Sequence, residues 1–205
     1  ELNQKLDIYE YIVFVLVFFL FTVTALLITP FVRLYTRGIV DTEYNQPLFG
    51  FLLVLSEALY LVKLPHLNLA YSANKFKEIT VPAYIEATLN IVISVALVKK
   101  LGLIGVTIGT IVGMTYRMVF HVYYTSKIVP GRVQRIFYRK LFLFAVGAGA
   151  GFALCYKLLP LQNVTVGSWI VHAIFYCVVI GSILLAISVL FFQNEMKFFA
   201  KYIKR

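Results

Sequence analysis

Long apolar runs separated by short polar links dominate this sequence. Six runs have the length of a membrane-crossing helix, about 20 residues, and they lie at residues 8–32, 48–71, 80–98, 102–124, 141–159 and 168–192. They are apolar on every side and lack the alternation of membrane β-strands. Because backbone groups in hydrocarbon must be satisfied within their own segment, the pattern predicts an all-α membrane protein with about six transmembrane helices.

Polar and helix-breaking residues predict where individual runs begin and end. The first run is expected to end near Pro30, and Pro65 predicts a kink in the second. Thr80 is expected to cap the third run, with Pro82 in its first turn. Residues 1–125 are then four transmembrane helices, 126–140 a basic cytoplasmic segment at the membrane surface, and 141–205 two further transmembrane helices with a basic tail. Residues 1–10 resemble the continuation of a longer chain.

Composition and charge agree with a membrane protein. Hydrophobic residues make up 61% of the chain and charged residues only 14%, with a formal net charge of +10. The basic residues lie at the ends of apolar runs, which is typical of membrane proteins, so no nucleic-acid partner is predicted. Lys and Arg are in excess in alternate links, and this excess predicts that both termini are cytoplasmic. The basic stretch 127–140 is expected to bind anionic lipid headgroups.

No enzymatic motif is present. The sequence has no Cys/His cluster, no glycine-rich phosphate loop and no nucleophile elbow. Cys155 and Cys177 lie inside apolar runs and are interpreted as small buried hydrophobes. We therefore predict no catalytic residue, no metal site and no cofactor.

Ionisable side chains inside the apolar runs are the candidates for function, because charge in hydrocarbon is costly. Glu57 and Lys63 share the second run, with Tyr60 between them. Lys63 lies two residues before Pro65, whose missing N–H leaves a carbonyl without its helical partner. A cation at a broken helix suits an anionic ligand or a hinge. The alternative is a buried Glu57–Lys63 pair that only holds helices together.

The third and fourth runs carry residues at four-residue intervals. Glu86, Asn90 and Ser94 share one face of the third helix, where Asn90 either lines a cavity or hydrogen-bonds to a neighbouring helix. Glycines in the fourth run have the same spacing, which indicates close helix packing. The stripe consists of Gly105, Gly109, Gly113, Arg117 and His121. Arg117 either snorkels to lipid headgroups or presents its guanidinium to a phosphate in a cavity, and the glycine stripe favours the cavity.

Three phrases resemble the carboxy-terminal half of the polysaccharide transporters. They are NKFK at 74–77, YIEATLNI at 84–91 and KKLGLIGVTIGT at 99–110. The family contains the bacterial O-antigen and capsule-unit flippases of the multidrug/oligosaccharidyl-lipid/polysaccharide exporter superfamily. Its members have two lobes of helices around a central cavity. The resemblance implies that this chain is most of the second lobe and that its partner is a missing amino-terminal lobe.

The resemblance also implies a function without covalent chemistry, so the chain is not expected to be an enzyme. An oligosaccharide on undecaprenyl diphosphate would cross the bacterial inner membrane by alternating access. Glu57 and Glu86 are the predicted ion-coupling residues, although Glu57 departs from the family pattern. The predicted substrate-binding residues are Lys63, Arg117, Asn90 and Tyr60. Two alternatives are an ion-coupled multidrug exporter of the same superfamily and a non-transporting scaffold of a glycan-assembly complex.

Overall fold

The chain folds into helices joined by short links. The computed structural model describes residues 1–39, 41–161 and 164–203, with side chains through residue 199. No residue within these ranges lies in a strand. The helices are α1 (Leu2–Tyr35), α2 (Pro47–Val62), α3 (Leu64–Ser72), α4 (Phe76–Leu101), α5 (Leu103–Ile128), α6 (Gln134–Leu158), α7 (Val166–Phe191) and α8 (Gln193–Ile203).

Six segments of the described chain are long and apolar enough to cross a membrane. Helices α2 and α3 together form one such segment, Pro47–Ser72, while α1, α4, α5, α6 and α7 each form another. The protein is therefore an all-α membrane protein with six transmembrane segments in its described part, which confirms the prediction from the apolar runs.

The helices group into two compact units, and each unit combines separate parts of the chain. The first unit contains Glu1–Val13 and Leu52–Lys140, and the second contains Phe14–Phe51 and Leu141–Arg205. Helices α1, α2 and α6 each contribute residues to both units.

A glycine turn and a glycine stripe join α4 and α5 into a tight hairpin in the first unit. Gly102 has φ 56°, a left-handed conformation that glycine adopts without steric cost. A Cβ added along the stripe would lie 2.7 Å from Leu97 C at Gly105, 2.8 Å from Asn90 O at Gly109 and 3.0 Å from Glu86 O at Gly113. The missing side chains let the two backbones approach closely, as the four-residue spacing predicted.

The second predicted helix is interrupted at Lys63, between α2 and α3. Pro65 has no N–H and so cannot continue the hydrogen bonding of the helix. The amides of His66 and Leu67 both donate to the Lys63 carbonyl, at 3.1 Å each. The helix is therefore interrupted where the sequence predicted a kink, and the interruption leaves a cation at the junction of two helix segments.

Two predicted helix ends are wrong because the helices run further than the apolar pattern. Pro30 lies inside α1, which continues to Tyr35. Helix α4 already begins at Phe76, so Thr80 does not cap it. The Thr80 hydroxyl donates instead to the Phe76 carbonyl, with an Oγ1 to O distance of 2.7 Å. A threonine that satisfies its own helix in this way remains compatible with the helix interior.

Most of the segment predicted to lie along the membrane surface is helical. Helix α5 continues to Ile128 and α6 begins at Gln134, so that only residues 129–133 link them. The link contains Pro130 and Gly131, and Gly131 has φ 73°, a conformation that favours glycine. The sequence predicted a helix break at Pro130 and Gly131, but not that the link between the helices is only residues 129–133.

Each unit has its own apolar core. In the first unit, buried side chains of α3 and α4 pack with side chains of α3 and α5, and this group consists of Leu64, Leu67, Ala70, Ile79, Tyr124 and Ile128. In the second unit, the ring of Phe144 on α6 lies 6.2 Å from Phe14 and 6.0 Å from Phe18, both on α1. Phe144 also stacks on Phe192 at 5.3 Å. Aromatic pairs at these separations contribute packing energy beyond area burial.

Candidate functional site

A carboxylate from α4 joins two cations of the first unit. Glu86 Oε1 lies 3.4 Å from Nζ of Lys63 at the α2–α3 break, and Glu86 Oε2 pairs with Nη1 of Arg117 on α5. The glycine stripe explains the second pair. Gly113 packs against the Glu86 backbone, and Arg117 lies one helical turn further along the same face. We refer to Lys63, Glu86 and Arg117 as the Glu86 cluster.

The Glu86 cluster is mostly buried, but two of its side chains remain partly exposed. Lys63 is 1% exposed, while 13% of the side chain remains exposed for both Glu86 and Arg117. Two cations facing one carboxylate leave a net positive charge within membrane-spanning helices. Such a charge is costly in hydrocarbon unless a partner or ligand balances it. The cluster can therefore accept an anionic group on the side where Glu86 and Arg117 reach the surface.

Tyr60 completes the surroundings of Lys63. The Lys63 ammonium lies 4.5 Å from the centre of the Tyr60 ring, a distance suited to a cation–π interaction. It also donates to Met114 Sδ at 3.5 Å, a weak acceptor. The structure thus brings together four of the six predicted site residues, namely Lys63, Tyr60, Glu86 and Arg117.

Asn90 lies in the hairpin between α4 and α5. Its Oδ1 accepts from the Ser94 hydroxyl at 3.0 Å and from the Thr110 hydroxyl of α5 at 3.4 Å. Its backbone carbonyl faces Gly109. These contacts match the interhelical hydrogen bonding that the sequence allowed for Asn90, one turn from Glu86. Its predicted role in binding substrate stays a prediction.

Glu57 lies apart from these contacts. Its side chain is exposed on α2, and the ion pair of Lys63 is made with Glu86. The Glu57–Lys63 pair that the sequence allowed is therefore not the one that forms.

Comparisons with known proteins do not bear on the role of the Glu86 cluster. The chain matches no family model, no curated protein and no solved structure. The relationship to the polysaccharide transporters therefore stays a prediction that rests on the phrases at 74–77, 84–91 and 99–110. In the ranges that the structure describes, no three His, Cys, Asp or Glu side chains are placed to hold a metal ion.

His121 extends the polar stripe of α5 by one more turn. Arg117 Nε donates to His121 Nε2 at 3.1 Å. Arginine is only a donor, so this nitrogen is the acceptor and the imidazole proton lies on Nδ1. His121 is fully buried, and its Nδ1 has no hydrogen-bond partner. Because a buried donor without a partner costs about 1–3 kcal/mol, this position indicates a site for a further polar group.

A second charge cluster joins α1 to the start of α6. Arg132 Nη1 and Lys140 Nζ lie 2.8 Å and 2.7 Å from Asp7 Oδ1. Lys140 Nζ is also 3.0 Å from Glu10 Oε2, and Arg132 Nη2 pairs with Glu10 Oε1. Each carboxylate therefore contacts both cations. Glu10 and Lys140 are each 0% exposed, and the alternating arrangement is what allows these charges to be buried.

His66 connects this second cluster to α5. Its Nε2 lies 3.2 Å from Glu10 Oε1, although the approach lacks hydrogen-bond geometry. Its Nδ1 lies 3.0 Å from the Thr125 hydroxyl. Phe137 of α6 packs edge-on against the imidazole at 4.8 Å. We refer to Asp7, Glu10, His66, Arg132 and Lys140 as the Glu10 network.

The Glu10 network changes the interpretation of the basic segment 127–140. Arg132 and Lys140 are buried, so these two cations are not placed to bind lipid headgroups as predicted. Burial by itself lowers the pKa of Arg132, but the nearby carboxylates of Glu10 and Asp7 outweigh this effect and raise its pKa. The guanidinium is thus firmly charged. Lys127, Arg135 and Arg139 remain exposed in the same segment.

Sequence reasoning missed Asp7, Glu10 and His66 as site residues. One signal was present, because Asp7 and Glu10 lie one turn apart where the first apolar run begins. Two carboxylates on one helical face at that place indicate a buried or partnered pair. Nothing in the local pattern identified their cationic partners Arg132 and Lys140, which follow more than 120 residues later in the chain.

Proposed function

We propose that this chain is the second-lobe part of a flippase for a polyprenyl-diphosphate-linked oligosaccharide. The cargo would be carried across the bacterial inner membrane by alternating access, together with an amino-terminal lobe of the same protein. Both ends of the piece would face the cytoplasm, as the excess of Lys and Arg in alternate links favours. This proposal joins the family resemblance to the charge of the Glu86 cluster.

The net positive charge of the Glu86 cluster is the observation that carries the proposal. A diphosphate cannot enter hydrocarbon without cationic partners, and guanidinium and ammonium groups are its usual partners in proteins. Lys63 and Arg117 come from different elements and both point at one carboxylate, 3.4 Å from the lysine. A diphosphate can take the place of that carboxylate, whereas its prenyl chain remains in the bilayer.

The proposal is tested by removing each cation in the complete gene product. A host strain that lacks the gene would be complemented with the Lys63→Gln or the Arg117→Gln variant. Surface polysaccharide would be measured by lectin or antibody binding, and the amount of protein by immunoblot. Lys100→Gln is the matched control, because Lys100 is an exposed cation in the last turn of α4.

We expect both cluster variants to lose most surface polysaccharide and the control variant to retain it. Lys63→Arg keeps the charge and is expected to retain part of the activity. Normal surface polysaccharide with both Lys63→Gln and Arg117→Gln would contradict the proposal. A change in drug sensitivity with unchanged surface polysaccharide would point instead to a drug exporter. Loss of surface polysaccharide only when residues 127–140 are changed would point to a scaffold.

A further inference from the structure

A line of polar side chains runs along one face of α5 and connects the two charge clusters. Arg117, His121 and Thr125 follow one another at four-residue intervals, which places them on one helical face. Arg117 belongs to the Glu86 cluster. Thr125 contacts His66 of the Glu10 network. The middle residue, His121, is fully buried and has an Nδ1 without a partner.

The protonation state of His121 is tied to the position of Arg117. A neutral His121 accepts the Arg117 Nε–H at its Nε2. An imidazolium carries N–H at both nitrogens and accepts no hydrogen bond. A proton that binds at His121 Nε2 therefore removes this bond and places a second positive charge beside Arg117.

The Arg117 guanidinium lies directly beside His121, so it repels a positive charge on the imidazole. Lys63 is the second cation of the same cluster, and Glu86 of α4 supplies its one carboxylate. An anion bound to Lys63 and Arg117 weakens this repulsion. Binding of an anion and binding of a proton are then coupled, and the coupling is reciprocal.

We infer that His121 is a proton-binding site, and that binding of a diphosphate at Lys63 and Arg117 is accompanied by uptake of one proton at His121. This inference rests on the proposed function for the identity of the anion. The bound proton adds positive charge to the site. It also removes the hydrogen bond between Arg117 and His121. The guanidinium is then held by the cargo alone.

The Glu10 network is the expected route for this proton, because its groups lie between the partly exposed Asp7 and the polar face of α5. The Asp7 side chain is 25% exposed, and Lys140 bridges it to the buried Glu10. His66 lies between Glu10 and Thr125, 3.2 Å from the first and 3.0 Å from the second. Chains of carboxylates and histidines inside membrane proteins commonly conduct protons. His66 is therefore expected to affect the rate of proton uptake and His121 the amount.

The test measures the pH dependence of anion binding to the complete protein in lipid nanodiscs. The probe is a short-chain polyprenyl diphosphate sugar, a diester whose phosphates do not titrate in the range used. Its Kd would be measured between about pH 5 and about pH 8, where histidine changes charge. The variants are His121→Gln, His66→Gln and, as a matched control on α7, His172→Gln, whose Nδ1 contacts the Ser168 carbonyl at 2.7 Å.

Uptake of one proton predicts that the probe binds more tightly as the pH falls, with a slope approaching about tenfold per pH unit. For His121→Gln, the Kd of the probe should change by less than about twofold per pH unit. His66→Gln and His172→Gln should keep the slope of the unsubstituted protein. Binding that is independent of pH in the unsubstituted protein overturns the inference and leaves the proposed function standing. Failure to bind the probe at any pH overturns both.

A second measurement does not depend on the folding of the His121 variant. Because this chain contains three histidines, segmental ¹⁵N-histidine labelling of this chain within the complete protein gives three imidazole signals. His66→Gln and His172→Gln suffice to assign them. We expect the His121 signal to change from neutral to imidazolium when the probe is added at constant pH. A His121 signal that stays neutral with the probe bound overturns the inference.

Discussion

Glu86 and Lys63 are 23 residues apart in the chain, yet a carboxylate oxygen of the first lies 3.4 Å from the ammonium of the second. The same carboxylate holds Arg117. In the proposed transporter, Glu86 occupies the place that an anionic cargo would take. Cargo binding is then an exchange of one anion for another, so the site never exposes two uncompensated cations to hydrocarbon.

This exchange predicts that Glu86→Gln binds an anionic probe more tightly. The substitution removes the internal competitor and leaves both cations available. We expect the Kd for a short-chain polyprenyl diphosphate sugar to fall about tenfold, which corresponds to about 1.4 kcal/mol. The measurement is equilibrium binding in nanodiscs. Glu78→Gln is the control, because Glu78 is an exposed carboxylate at the start of α4. Weaker binding by Glu86→Gln would show that Glu86 supports the anion site and does not compete with it.

The glycine stripe predicts an opposite outcome for two similar substitutions. Gly109→Ala places a Cβ 2.8 Å from the Asn90 carbonyl and so pushes α5 away from α4. We expect a loss of about 1–3 kcal/mol, which is typical of overpacking, and a lower melting temperature in detergent. Gly149→Ala in α6 has no atom within 4 Å of the new Cβ. Because alanine favours a helix over glycine, this variant should be at least as stable as the original. Equal melting temperatures for the two variants would contradict the close packing of the hairpin.

Features that repeat within one helix could be predicted from the sequence, whereas contacts between distant helices could not. The stripe of Gly105, Gly109 and Gly113 and the face of Glu86 and Asn90 repeat every four residues, so both were predicted and the structure confirms their packing. The membrane spans follow from apolar length in the same way. The sequence did not predict which carboxylate pairs with Lys63. Glu57 is closer to Lys63 in the sequence, and only the folded hairpin brings Glu86 near the lysine.

The Glu10 network was not predictable for the same physical reason. Its carboxylates belong to the first helix, and its cations lie in a basic segment that local patterning assigned to the membrane surface. Tertiary packing alone decides that Arg132 and Lys140 face α1 while Arg135 and Arg139 face outward. The predicted start of the third helix was wrong for a different reason, since a hydroxyl such as that of Thr80 can bond to its own helix as well as cap one.

The Glu10 network predicts a large cost for removing one of its carboxylates. Glu10→Ala leaves Arg132 and Lys140 sharing Asp7, and breaking a buried pair in this way costs about 3–5 kcal/mol. The measurement is the free energy of unfolding by denaturant in mixed micelles. Glu1→Ala is the control, because the Glu1–Lys5 pair is exposed and exposed pairs contribute at most about 1 kcal/mol.

A double-mutant cycle separates the network from simple loss of packing. Glu10→Ala combined with Lys140→Met removes one charge of each sign. If the two residues interact, the double variant should be more stable than the sum of the single effects indicates, by about 0.5–3 kcal/mol. Strict additivity would mean that Glu10 and Lys140 stabilise the protein independently despite their 3.0 Å separation.

The division of the basic segment into buried and exposed cations predicts two different phenotypes. Arg135 and Arg139 are exposed, and Lys127 is exposed with its ammonium 4.5 Å from the Tyr123 ring. Each exposed cation near an anionic membrane surface contributes about 1 kcal/mol. Replacing any of these three by Gln should therefore weaken binding of labelled phosphatidylglycerol about fivefold, with little change in melting temperature.

Arg132→Gln should do the reverse, because its guanidinium is buried and paired with Asp7 and Glu10. Its melting temperature should fall clearly, whereas the affinity for phosphatidylglycerol should stay within about twofold of the original value. Lipid binding and melting temperature are measured on the same nanodisc preparations, so that each variant gives one point in both assays. If Arg132→Gln loses as much lipid affinity as Arg135→Gln, the cations of this segment act as one surface patch, and the pairing of Arg132 with Asp7 and Glu10 does not keep it from the lipid.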